Sequence, residues 1–284
     1  MKKFFSYFMV FMCLLGTSVV TSCSSDDDDK KDELPELPYL SDAAIYQLDE
    51  ENNNEEIVYI ELTTAGNYFI QYVGGAPENS PVAMKRFECS TFTKNSDGTY
   101  QLNGKNVTLK IQSNGGKYNL TLGDKTYTAT KVGSKATFAN ANNICRSWKV
   151  KKAYVNITSS VFKPTEVSAS NYKDLKNKLG DNYNIPYFKD IDYICFCNTM
   201  KDSSHLYYVV KTDDNISRGV WQWKSSPEGG LVNFDDAKDE NSGVEQNIDV
   251  TFVGSTMKLS HTTADGSTTI TWEYELTPAP VKVK

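Results

Sequence analysis

The sequence predicts an all-β protein made of two tandem antiparallel β-meander domains. The 284-residue chain holds 17 tyrosines and 13 phenylalanines, and aromatic and β-branched residues favour pleated sheets. Short segments of alternating apolar and polar residues, bounded by Gly, Asn and Asp, follow one another along most of the chain. A weak internal repeat is also present: segments 59–62 and 68–70 parallel 193–196 and 207–209, and 92–102 parallels 223–232.

The first half of the chain contains a series of predicted strands joined by short turns. Dipeptides such as Asp97-Gly98 and Gly115-Gly116 are typical hairpin connections between antiparallel neighbours. These strands predict an N-terminal antiparallel β domain over residues 42–137. The predicted strands are 57–63, 68–73, 86–93, 99–102, 107–112, 117–122 and 126–131.

The second half begins with a predicted helical turn at 139–145 and a strand at 147–157. One short helix is predicted over 171–179, because apolar residues recur there at helical spacing, with Ser170 as N-cap and Gly180 as the stop. Together with the strands that follow, these elements predict a second β domain over 138–279 and a tail over 280–284. The strands are 192–197, 206–212, 219–224, 230–234, 247–253, 256–261 and 268–276.

Three tryptophan-containing segments in the second half of the chain carry a resemblance to a known class of domains. They are 146–150 (RSWKV), 219–223 (GVWQW) and 268–276 (TTITWEYEL). Through them, residues 140–278 resemble the lipocalin-like domains of Bacteroidota lipoproteins, although Arg146 occupies the position where typical lipocalins have the glycine of a Gly-x-Trp motif. The resemblance implies an antiparallel barrel of about eight strands, wide enough for core side chains or for one small ligand.

The N-terminus has the pattern of a bacterial export signal over residues 1–22. Two lysines precede an apolar stretch at 4–15 and a group of small residues, and that stretch is shorter than the roughly 20 residues of a membrane-spanning helix. Val20-Thr21-Ser22-Cys23 resembles the lipobox of bacterial lipoproteins. The resemblance implies that Cys23 becomes the N-terminus and carries several acyl chains, and two or more chains anchor a protein stably.

The net negative charge of the chain is confined to the region that follows Cys23. Residues 24–56 hold 13 acids and two lysines, a net charge of −11, whereas residues 57–284 hold 23 acids and 26 basic residues, a net charge of +3. Residues 24–33 (SSDDDDKKDE) resemble the signal that directs Bacteroidota lipoproteins to the outer face of the outer membrane. We therefore expect a lipidated acidic tether at 23–41 and a near-neutral body without the basic patch of a nucleic-acid-binding protein.

The two closely spaced tryptophans have two interpretations. Trp221 and Trp223 share one face of a predicted strand. They would form either an aromatic platform for a sugar or lipid-like ligand inside the barrel, or part of its core. The core interpretation is favoured, because the opposite face carries Gln222 and Lys224 and is therefore the solvated one.

The four body cysteines also leave two alternatives open. Cys195 and Cys197 share a face of one strand and do not easily bond to each other. With Cys89 and Cys145 they would form up to two disulfides in an oxidising compartment, or stay buried as free thiols.

No catalytic or metal-binding pattern is recognisable in the body. His205 and His261 are the only histidines and lack a hydrolase signature. The acidic loop 235–243 does not follow the EF-hand order. The sequence therefore predicts no catalytic residue, no metal and no cofactor, and it identifies no ligand-binding residue.

Taken together, these features predict a lipid-anchored protein of the cell outer membrane that faces the outside. Its expected role is non-catalytic binding of a small molecule, a glycan or a partner protein, with the membrane contacted through Cys23. The alternatives are a structural or accessory component of a surface complex, or a glycan-processing enzyme. A barrel interior filled by its own side chains would argue against a ligand held inside it.

Overall fold

The computed structural model confirms the all-β fold. The predicted signal sequence, Cys23, most of the predicted tether and most of the acidic loop 235–243 lie outside the described residues. The structure describes residues 33–49, 57–73, 86–135, 141–161, 163–180, 190–201, 204–223, 231–235 and 246–282.

The first half forms a closed barrel of eight antiparallel strands in sequential order. The last strand returns to the first, where Ile45 lies opposite Val132 and Leu48 opposite Ala129. Side chains alternate between the interior and the outer face. The strands are β1 (Ala44–Leu48), β2 (Ile57–Leu62), β3 (Asn67–Tyr72), β4 (Arg86–Lys94), β5 (Tyr100–Leu102), β6 (Val107–Asn114), β7 (Lys117–Leu122) and β8 (Lys125–Val132).

The second half forms a ten-stranded antiparallel sheet in the order β11-β10-β18-β17-β16-β15-β14-β13-β12-β9. The start of β10 also pairs with β12, with Ser147 opposite Cys195, so that eight of these strands form a ring. The strands are β9 (Ser134–Lys135), β10 (Ser147–Ser159), β11 (Thr165–Ala169), β12 (Ile191–Lys201), β13 (Ser204–Lys211), β14 (Ile216–Trp223), β15 (Leu231–Asp235), β16 (Gln246–Val253), β17 (Thr256–Asp265) and β18 (Thr268–Pro278).

Two short helices accompany this sheet, α1 (Ala141–Ile144) and α2 (Tyr172–Leu179). The N-cap of α2 is Asn171 and not Ser170, because the Asn171 side chain accepts a hydrogen bond of 2.9 Å from the backbone N–H of Asp174. The helix ends as predicted at Gly180, whose φ of 75° is a conformation that favours glycine.

The two rings share one topology, which accounts for the repeat in the sequence. Strands β2 to β5 of the first ring occupy the same places as β12 to β15 of the second. The difference lies between the first and second strands of the second ring, where β11 and α2 are inserted. This insertion packs Tyr172 and Leu175 into the core of the second ring, beside the point where β10 leaves β12 to pair with β11.

The outer faces of the two repeated hairpins pack against each other. This contact surface, here called the seam, buries Tyr59 and Phe69 of the first ring against Cys195 and Tyr208 of the second. The rings of Phe69 and Tyr208 stack with centroids 3.7 Å apart and planes 7° from parallel. Because the seam is a third apolar core, residues 32–284 form one compact unit.

Candidate functional site

The interior of the second ring, as far as its side chains are described, is filled by a continuous apolar core. Trp148, Trp221 and Trp272 are each less than 2% exposed and belong to one continuous apolar core. Trp221 meets Phe196 edge to face at 5.4 Å, and its indole N–H donates to the backbone oxygen of Leu206 at 3.1 Å. Trp221 is therefore a core residue, whereas the side chain of Trp223 lies outside the described residues.

Both histidines are placed beside tryptophans. His205 is buried with its ring 4.8 Å from that of Trp221, and burial lowers its pKa to about 4. It is therefore neutral at physiological pH. His261 is half-buried, with its ring 6.0 Å from that of Trp272. Both imidazoles belong to aromatic packing.

All four body cysteines are buried and carry free thiols. The Ser147 hydroxyl donates to the sulfur of Cys195 at 3.2 Å, and the Cys145 thiol donates to the backbone oxygen of Cys197 at 3.5 Å. Burial raises the pKa of Cys89, Cys145 and Cys197, so these groups stay protonated and unreactive. Of the two alternatives for the cysteines, the structure has the buried free thiols.

A buried carboxylate, which the sequence pattern did not single out, lies in the seam. Glu61 of β2 is 0% exposed. Its carboxylate accepts hydrogen bonds from the Tyr208 hydroxyl at 2.5 Å and from the Thr199 hydroxyl at 3.2 Å, both in the second ring. Burial raises the pKa of Glu61, and the hydrogen bonds together with the charge of Arg218 act in the opposite direction.

The network around Glu61 continues across the seam. The Tyr59 and Tyr208 hydroxyls are 2.8 Å apart, and Arg218 donates to the Tyr59 hydroxyl and to the Gln71 side-chain oxygen, both at 3.1 Å. This arrangement of acid, phenols and guanidinium resembles catalytic sites in its residue types. However, Glu61 and Tyr208 are fully buried, and a substrate needs access to reacting groups. The network is therefore a structural link between the rings.

A second polar link lies at the end of the seam. Asn67 of β3 is 0% exposed. Its side-chain oxygen accepts from the Ser147 hydroxyl at 2.7 Å and from the backbone N–H of Val281 at 3.3 Å. Its amide nitrogen donates to the backbone oxygens of Ser90 and Val281. Because every donor and acceptor of this amide is satisfied, Asn67 fixes the position of the C-terminal segment.

Arg146 has a structural role. Its guanidinium donates to the backbone oxygens of Asn142 and Asn143 in α1 and, at 2.7 Å, to that of Pro35. It therefore satisfies carbonyl groups of α1 and holds the segment that precedes β1. A small cavity of about 120 Å³ lies beside it, lined in part by Pro278 and Pro280.

A larger depression lies on the inserted helix, outside the filled interior. Its volume is about 590 Å³, within the range of small-ligand sites. One wall, the lysine wall, consists of Lys173, Lys176 and Asn177, which share one face of α2, and of Gly180 just after the helix. We call this feature the α2 depression. Its described lining residues are Lys173, Lys176, Asn177, Gly180, Asp190, Thr212 and Asp213.

The second wall of the α2 depression, the aspartate wall, is formed where β12 begins and where β13 turns into β14. Asp190 has a φ of 56°, and its backbone oxygen accepts from the N–H of Thr212 at 2.8 Å. The Asp213 carboxylate accepts from the backbone and side-chain nitrogens of Asn215, and these hydrogen bonds lower its pKa. Asp213 is therefore ionised at neutral pH.

The α2 depression is suited to binding polar molecules. Its described lining combines two lysines and an amide from α2 with two aspartates and a hydroxyl from the strand ends. Within the described parts of the chain, no group of three or more His, Cys, Asp or Glu side chains is placed to hold a metal ion. The sequence did not reveal this site because its residues are ordinary surface residues. The signal that could have located it is the interruption of the repeat by residues 160–190.

Comparisons with known proteins do not identify a family. No protein-family model and no curated protein matches the sequence. Among solved structures, the chain was aligned with the crystal structure of the DNA polymerase sliding clamp from Pseudomonas aeruginosa with ligand, at 9% identity and a TM-score of 0.15. That alignment covers 89% of this chain and 60% of the clamp chain. A TM-score this low carries no argument about fold or function.

Proposed function

We propose that this protein is a lipid-anchored, non-catalytic binding protein of the bacterial cell surface, and that the α2 depression is its ligand site. The observation that carries the proposal is the contrast between the filled second ring and the polar depression on its insertion. The first ring, which shares the topology, has no described counterpart of β11 and α2. Segments added to a common scaffold are frequent carriers of function.

The chemistry of the α2 depression favours binding over catalysis. A nucleophilic site needs a base within hydrogen-bond reach of the nucleophile and a third group that orients the base. The described lining offers the Thr212 hydroxyl but no histidine or cysteine. Asp213 is already engaged by Asn215, so its carboxylate has a turn-forming role. These groups can fix a ligand's position through hydrogen bonds and charge.

Anchoring through Cys23 is the second part of the proposal and is supported by the leader and the lipobox-like segment. Among the described residues, neither helix has the length and apolar character that crossing a bilayer requires. Growth with an alkyne-labelled palmitate should label the wild-type protein and not the Cys23→Ala variant. Accessibility to an added protease on intact cells tests the outward orientation, and labelling of the variant equal to wild type would contradict the anchor.

Binding is tested by calorimetric titration of the purified full chain with a panel of neutral and charged oligosaccharides. We expect at least one to bind, and we expect Lys173→Ala combined with Asp190→Ala to abolish that binding. Lys151→Ala combined with Lys152→Ala, two exposed lysines on β10 outside the depression, is the matched control. Binding that is equal in both variants would place the ligand elsewhere, and no binding across the panel would contradict a saccharide ligand.

A further inference from the structure

We infer that the ligand of the α2 depression is an acidic saccharide, with a carboxylate or sulfate held by the lysine wall and hydroxyl groups held by the aspartate wall. This inference rests on the proposed function, because it names the ligand class of the same site. It follows from the separation of charge across the depression, from the partners that each charged group already has, and from the polarity of the lining.

The lysine wall supplies the site for an anion. Lys173 and Lys176 are three positions apart on α2, and both side chains are exposed and line the depression. In contrast, Lys178 lies on another side of the helix and donates to the backbone oxygen of Ser168 at 2.8 Å. Of these three lysines, the two in the depression are therefore placed to share one anionic group of a ligand.

The aspartate wall supplies acceptors for hydroxyl groups, because each Asp213 oxygen that accepts from Asn215 keeps a further lone pair. The Asp190 carboxylate is close enough to Tyr172 and Tyr274 for its charge to contribute to raising the pKa of both buried phenols. In the part of the chain that the structure describes, no ion pair joins either aspartate of this wall to either lysine of the lysine wall. The charges on the two walls are therefore not neutralised by each other, and a ligand can bridge them.

The lining favours a saccharide over a lipid or a peptide. The seven described lining residues comprise four charged residues, an asparagine, a threonine and a glycine, and none has an apolar side chain. Acyl chains and most peptide side chains need an apolar subsite, since their binding depends on burial of apolar surface. Sugar hydroxyls both donate and accept hydrogen bonds, so they match carboxylates, an amide and ammonium groups together.

The inference is tested by titrating the full chain with tetragalacturonic acid, with its fully methyl-esterified form, and with a sulfated galactose tetrasaccharide. Esterification removes the charge and keeps the sugar hydroxyls. We expect an acidic probe to bind about tenfold more tightly than the ester, the gain expected of two partly exposed ion pairs. Because exposed ion pairs are screened by salt, this preference should shrink toward 1 M salt.

Two lysine variants locate the effect. Lys173→Gln combined with Lys176→Gln should remove the preference for the acidic probe, so that the acid and the ester bind the variant with equal affinity. Lys151→Gln combined with Lys152→Gln, outside the depression, should change neither. Both double variants alter only exposed side chains, and unchanged thermal unfolding would confirm that they fold.

The outcomes separate this inference from the proposed function. Equal affinity for the acid and the ester, with Asp190→Asn still weakening both, would overturn the acidic ligand and leave the α2 depression as a saccharide site. Equal affinity in all variants would overturn the site itself. No binding by any of the three probes would overturn the acidic saccharide as the ligand. Binding of a different oligosaccharide from the wider panel would still support the proposed binding function.

Discussion

Removing the Tyr208 hydroxyl should loosen the link between the two rings. Tyr208→Phe keeps the ring stacked on Phe69 but deletes the donor to the Glu61 carboxylate and the partner of the Tyr59 hydroxyl. All three groups are buried. The variant therefore leaves a buried carboxylate with fewer donors, which is one of the few changes that destabilise proteins strongly without altering shape.

The magnitude follows from the two hydrogen bonds that are lost, measured at a pH above the folded-state pKa of Glu61, where its carboxylate is ionised. A hydrogen bond to a charged group contributes about 1.5–3 kcal/mol, and one between neutral groups about 0.5–1.5 kcal/mol. The expected loss in the free energy of unfolding is therefore about 2–4 kcal/mol. In the Glu61→Gln background the carboxylate is absent, so Tyr208→Phe should cost about 1 kcal/mol there.

Equilibrium urea unfolding, followed by tryptophan fluorescence, measures these free energies. Tyr118→Phe is the matched control, because Tyr118 lies half-buried on the first ring outside the seam, and its loss should stay within about 0.5 kcal/mol. A Tyr208→Phe variant as stable as this control would refute the reasoning. So would an equal cost in the wild-type and Glu61→Gln backgrounds, since the two side chains would then not be coupled.

Three further predictions concern pH, packing and thiols. Burial holds the folded-state pKa of Glu61 above its ordinary value of 4.5. Between these two pKa values the folded state binds the proton more tightly than the unfolded state, so the free energy of unfolding falls as pH rises. Glu61→Gln should flatten that slope in urea titrations across this pH range. Gly219→Ala should cost about 1–3 kcal/mol in the same assay, because its Cβ would lie 2.4 Å from the Tyr207 ring, and loss no greater than for Ser217→Ala would contradict this. The thiols of Cys89, Cys145, Cys195 and Cys197 should react with a maleimide only after unfolding, and a mass spectrum without four added labels on these residues would indicate disulfides.

Strand positions were predictable wherever one face of a strand is solvated. The strand Lys117–Leu122 was predicted with the bounds it has, because its single buried face gives a clear alternation and Gly116 and Gly123 mark its ends. The helix α2 was located by the same logic at helical spacing. Its cap was misplaced by one residue, since Ser170 and Asn171 are both good capping residues and only the backbone geometry selects one.

Three strands were not predicted, each for an identifiable reason. In β1 (Ala44–Leu48), four of five residues are buried, since one face lines the first ring and the other faces the seam, so its alternation is hidden. In β11 (Thr165–Ala169), the sequence alternates weakly and pairing with β10 is what makes it a strand. β9 has only two residues, too few for any periodic signal.

The sequence by itself determined most of the strands, the repeat and the division of charge between residues 24–56 and 57–284, because turns, alternation and composition are local properties. Tertiary structure alone decided what covers each outer face. Glu61 is a polar outward residue of its strand, yet the second ring buries it. The tertiary structure also places Lys173 and Asp213, which are 40 positions apart in the sequence, in the lining of one depression. Periodicity reports which side of a strand faces away from its own barrel, whereas the contact between two barrels depends on shape and pairing over long distances.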